Sequence, residues 1–187
     1  MAQKEVALAG PLEPLTKPLP ASLARAIGQL IARQAYLEWV LGQVTYNLME
    51  ISTRQGRVML KLPRPGQFIG AIRELYDFHG IEARLSLEEL ARKLDASDRT
   101  RTVLTRSTYM RGEKGQVILA RSLWDPGPGA DTQPDLQVLD DEFFAGCRKT
   151  VEAAVASAEK LQSTTNDLLR SLHERRRTQR NLDRRQR

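Results

Sequence analysis

The sequence predicts a mainly helical fold, an antiparallel bundle of four to five helices with one small β-hairpin. Three observations carry that prediction. Apolar residues recur at steps of three and four along two long stretches, the mark of a buried helix face. Aromatic residues make up only 5% of the 187, which leaves Leu, Ile, Val and Ala to fill the core. One stretch alone, around residues 108–119, leaves the helical period for two short segments separated by Gly-Glu-Lys-Gly.

Residues 1–21 contain Pro11, Pro14, Pro18 and Pro20 and are expected to form an extended arm. Ser22 offers a cap for a first long helix over 23–52. Its face runs through Ile27, Leu30, Leu37, Leu41, Val44, Leu48 and Ile51 and is interrupted only by Gln34. A polar break follows at 53–57. Phe68, Ile72 and Leu75 mark a second helix that ends at His79-Gly80, a dipeptide suited to a helix C-terminus. Ser86 and Glu89 have capping-box spacing, so a third helix starts there, with Leu87, Leu90 and Leu94 on its apolar edge, and runs on through Arg106. After the hairpin, residues 125–135 have the composition of a loop. The last helix begins near Asp140 or Asp141 and carries Phe144, Cys147, Val151, Ala154, Ala158, Leu161, Leu168 and Leu172, with Thr165 as its one interruption. The expected organisation is an arm (1–21), a helical domain (22–172) and a basic C-terminal tail (173–187).

The 29 basic and 23 acidic residues give a net charge of +6, placed unevenly. Residues 174–187 hold seven arginines against Glu174 and Asp183; the other 22 basic and 21 acidic residues nearly cancel. An arginine run of this density attracts phosphate by counterion release. A single cysteine, Cys147, excludes an intrachain disulfide and a multi-cysteine metal site. The first 20 residues lack the long apolar core of a secretory signal, and no apolar run is long enough to span a bilayer. A cytoplasmic protein that does not enter the membrane is expected.

Motifs for phosphate-cradling loops, dinucleotide binding, zinc proteases and serine hydrolases are missing. The two histidines, His79 and His173, have no partner at metal-ligand spacing. No metal and no cofactor are expected. What remains is the basic stretch Asp-Arg-Thr-Arg-Thr-Val-Leu-Thr-Arg-Ser-Thr-Tyr, residues 98–109.

With its surroundings, that stretch resembles the HEPN superfamily of helical nucleotide-binding and RNA-cleaving proteins. The resemblance spans residues 22 to about 172 and rests on element order and a short motif: Glu38 in the first long helix, Arg101, the polar Thr102, then Ser107 and Tyr109 before the hairpin and the last helix. Active members of the family, the resemblance implies, cleave RNA without metal, using the motif His and Arg of two subunits across a dimer interface. Here position 106, where the histidine is expected, is arginine, which stays protonated and cannot accept a proton at neutral pH. The expectation is therefore a catalytically degenerate HEPN-like module that forms a homodimer and binds RNA, a nucleotide or a partner protein.

Two other functions are weighed beside it. A metal-independent ribonuclease with a different site would draw on Arg101 and Arg106 for charge stabilisation and on Tyr109 or His79 for the proton. A purely structural adaptor would use the long helices alone. The candidate anion-binding residues are Arg99, Arg101, Arg106, Arg111, Arg175, Arg176 and Arg177. A step of five places Arg101 and Arg106 about 140° apart around a straight helix, so they do not form one clamp by themselves.

Overall fold

A computed structural model describes residues 12–59, 65–82, 87–112, 115–120 and 136–185. Among these, the chain is mainly helical, with five helices and a small four-stranded antiparallel sheet. In chain order the elements are β1 (Glu13–Pro14), α1 (Ala21–Leu48), α2 (Thr53–Met59), α3 (Pro65–His79), α4 (Leu87–Arg106), β2 (Thr108–Arg111), β3 (Val117–Ala120), β4 (Leu136–Val138) and α5 (Asp141–Arg185). None of the described helices is long and apolar enough to cross a membrane. The expected capping Ser86, the hairpin tip at 113–114 and the loop at 125–135 lie outside the described residues.

The chain divides into two compact units, 1–34 with 96–152 and 35–95 with 153–187, and α1, α4 and α5 contribute residues to both. The first unit holds the sheet, in the order β1-β2-β3-β4. Thr108 pairs with Ala120 and Arg111 with Val117, which is the expected hairpin. It is closed by a bond from the Gly112 N–H to the Gln116 carbonyl at 3.0 Å, with Gly115 at φ 74° in the left-handed region that glycine tolerates. All four residues of β3, Val-Ile-Leu-Ala, are buried, as a central strand covered on both faces requires. The sequence pattern did not reveal β1 and β4, because strands of two and three residues are too short to show a period.

Two tethers fix the helices of this unit. Arg33 grips Glu152 with two bonds, Nε to Oε1 at 2.7 Å and Nη2 to Oε2 at 2.8 Å. Gln34, the polar interruption in the first apolar face, is buried and donates to the Ser97 carbonyl at 2.6 Å. Asp140 caps α5, its Oδ1 accepting from the Phe143 N–H at 2.8 Å.

In the second unit the apolar faces of α1, α3, α4 and α5 supply the buried residues, among them Leu37, Leu41, Val44, Phe68, Ile72, Leu90, Leu94, Ala158 and Leu161. The polar pairs between α1 and α5 ascend together: Tyr36 with Glu159, Asn47 with Asn166, and Glu50, just past α1, with His173. These two helices therefore run parallel here. On α4, Lys93 meets Ser157, and the earlier Glu89 lines one cleft with the later Lys160, so α4 opposes α5. The expected antiparallel arrangement holds for α4 and α5 but not for α1 beside α5, because α4 and the β-segment after it reverse the chain between them. Thr165, the other polar interruption, is fully buried and shares a 2.6 Å hydrogen bond with the Tyr76 hydroxyl.

The stretch read as a polar break is α2. Ser52 and Gln55 form a reciprocal capping box at its start: the Ser52 N–H donates to the Gln55 side chain at 2.9 Å and the Gln55 N–H to the Ser52 hydroxyl at 3.3 Å. The ends of α1 and α3 carry the same C-terminal cap. After α1, the Ile51 N–H reaches the Tyr46 carbonyl and the Glu50 N–H the Asn47 carbonyl; after α3, Ile81 reaches Tyr76 and Gly80 reaches Asp77. Each cap needs one residue at positive φ. That residue is Gly80 (φ 64°) in one and Glu50 (φ 55°) in the other.

Candidate anion-binding site

The arginines of the basic tail are helical, since α5 continues without a break from Asp141 to Arg185. At about 100° per residue, His173, Arg177, Arg180 and Arg184 follow one another on one face in steps of four, three and four. Arg176 borders that face, whereas Arg175 points to the other side. Together with Asn181 and with Glu50, which follows α1, they line an open depression of about 620 Å³.

This face continues the stripe that is buried upstream as Leu161, Thr165 and Leu169. The helix carries it past the end of α1, where burial ends and arginine replaces leucine. From His173 to Arg184 it extends about 16 Å. At its near end the Glu50 carboxylate accepts from His173 Nε2 at 3.2 Å and from Arg176 Nη1 at 3.4 Å. The hydrogen bond from His173 holds the Glu50 carboxyl below the usual glutamate range, with Arg176 and His79 adding positive potential.

The candidates on α4 and β2 belong to the other unit. Arg99, Arg101 and Arg106 are exposed on α4, and Arg111 is exposed on β2. Arg106 is the last residue of its helix, where a cation complements the helix dipole. Tyr109 is half-buried and its hydroxyl donates to the Leu104 carbonyl at 2.5 Å, closing the same helix end; burial pushes its pKa up. Its proton is committed to a backbone group. Glu38 lies half-buried on the part of α1 in the second unit. His79 ends α3, and its Nε2 lies 2.6 Å from the Leu48 carbonyl, consistent with an N–H donated to it.

Lys93 bridges Glu89 Oε1 at 2.7 Å and Ser157 Oγ at 2.9 Å beside a smaller cleft of about 150 Å³, so its charge is already partnered. Among the described residues, no three His, Cys, Asp or Glu side chains are grouped so as to hold a metal ion.

Of the seven arginines expected to bind anions, the depression brings together Arg176 and Arg177. It adds His173, Arg180 and Arg184, which the tail's composition alone did not single out; their three-four spacing is the signal that finds them once the tail is taken as helix. The chain matches no family model, no curated protein and no solved structure.

Proposed function

We propose that this chain is a catalytically degenerate HEPN-like module, dimeric through its helices, that binds RNA through the basic face at the carboxyl end of α5. The observation that carries the reading is the alignment of His173, Arg177, Arg180 and Arg184 along one exposed helix face, with Arg176 at its border. One histidine and four arginines spaced along about 16 Å suit successive phosphates of a nucleic-acid backbone, and they position a strand without reading its bases. Element order supports the HEPN-like part: a long first helix, Arg101 and Arg106 on α4, a hairpin, and a long last helix. Arg106 supports the loss of catalysis, since a guanidinium cannot serve as the base.

Fluorescence anisotropy with a labelled mixed-sequence RNA tests the reading. The triple variant Arg177→Gln/Arg180→Gln/Arg184→Gln should lose most of the affinity, and the salt slope should fall by about 0.7–0.9 for each phosphate contact removed. Arg106→His, assayed for RNA cleavage in EDTA, tests the scaffold: activity gained marks a disabled HEPN-like site. Full RNA affinity in the triple variant overturns the role of α5.

A partner protein is the second reading, favoured by two large apolar side chains of the second unit, Val58 at 79% and Phe78 at 81% exposed. Loss of a co-purifying protein on Phe78→Ser, with RNA affinity unchanged, would support it.

A further inference from the structure

We infer that Glu50 is a built-in competing anion of the basic face, and that a phosphate group must displace its carboxylate to reach His173 and Arg176. This rests on the reading of α5 as a phosphate-binding helix.

Three observations support it. The first is the backbone. Two helices end in the same cap, and where α3 places Gly80 at the left-handed position, α1 places a glutamate. A non-glycine residue at positive φ is held there against its own preference. The cap itself does not require a carboxylate, as Gly80 shows.

The second is the aim of the side chain. From that position the carboxylate meets a histidine and an arginine on α5, 123 and 126 residues away in the chain, and among the described residues it is the only acidic one lining the depression. It neutralises positive charge where the basic face begins.

The third is the looseness of the contacts. Arg33 and Glu152 show what a committed pair looks like in this protein, two bonds at 2.7 and 2.8 Å. Glu50 reaches its partners at 3.2 and 3.4 Å with all three side chains about half exposed. Hydrogen bonds to charged groups are ordinarily shorter, and exposed pairs of this kind are weakly held. A phosphate oxygen can take the carboxylate's place at small cost, and a phosphodiester offers two oxygens where His173 and Arg176 offer two donors. Glu50 then acts as a threshold: it keeps weak anions off the near end of the face and yields to a phosphate that Arg177, Arg180 and Arg184 already hold.

The test compares the full chain with Glu50→Gln, which keeps a side chain at the left-handed position and removes only the charge; thermal melts followed by circular dichroism check that both are folded. With labelled mixed-sequence RNA, Glu50→Gln should bind about three- to five-fold more tightly near 0.1 M salt, the scale of one exposed ion pair. Its salt slope should steepen, because Arg176 becomes available for phosphate while His173 is freed to donate a hydrogen bond to it. RNA affinity that is lost in the arginine triple variant but unchanged or weakened in Glu50→Gln overturns the inference and leaves the RNA reading standing. If the full chain does not bind RNA, that reading fails, and the same comparison with inorganic pyrophosphate by calorimetry decides the role of Glu50. Tighter binding by Glu50→Gln sustains the competing anion, and equal or weaker binding removes it.

Discussion

At the scale of the residue, the two matching helix caps separate backbone strain from side-chain chemistry. Nothing lies within 4 Å of a Cβ built on Gly80, so Gly80→Ala meets no clash and tests conformation alone. The left-handed position should cost the variant about 1 kcal/mol. A urea titration checks this, with the midpoint falling and the slope unchanged. The same scale explains how much of the site could be read. Arg176 and Arg177 were visible as members of an arginine run. Glu50 was not, because its partners lie more than a hundred residues away and no local pattern marks the contact.

At the scale of the element, the two polar interruptions in otherwise apolar faces are where helices are pinned to each other. Thr165 and Tyr76 share a hydrogen bond between their hydroxyls in a fully buried setting. Thr165→Val should cost about 1–3 kcal/mol by leaving the phenol unpaired, whereas adding Tyr76→Phe should recover much of that loss. A double-mutant cycle in urea measures the difference.

The Arg33 and Glu152 pair gives a pH prediction. The hydrogen bond from Arg33 holds the Glu152 carboxyl below its usual range. A depressed folded-state pKa means a contribution fully present above the unfolded value, near pH 4.3, and lost as pH falls through the folded one. Glu152→Gln should therefore show a shallower acid loss of stability below about pH 4, with a small effect at neutral pH because the pair is exposed. Urea midpoints measured across pH check both parts.

The long helices were legible because their faces repeat over many turns. α2 was not, since seven residues containing Gly56 show no convincing period. Its one sequence signal was the Ser-x-x-Gln spacing of Ser52 and Gln55.

At the scale of the whole molecule, sharing of α1, α4 and α5 between the two compact units leads us to expect one cooperative unfolding transition. Cys147 reports on it. The thiol is buried in the first unit, and burial pushes its pKa up to about 11, so it should resist thiol reagents at neutral pH. Labelling across a urea series should rise together with the loss of helical circular dichroism; labelling at lower urea would mean that the first unit opens alone. The sequence told mainly of helices because helix faces are long and local, and it told less of the sheet, whose outer strands exist only through pairing across the chain.

Those outer strands bear on solubility. β1 is two residues long, and Pro14, set opposite Met110, has no N–H to offer another strand. Among the described residues it finishes the sheet on that side with a blunt seam. If a protease removed residues 12–15, Thr108–Arg111 would become an open border with unpaired backbone groups beside a wholly apolar β3. The damaged chain would then tend to stack strand against strand with its own copies, so the short amino-terminal strip guards against aggregation.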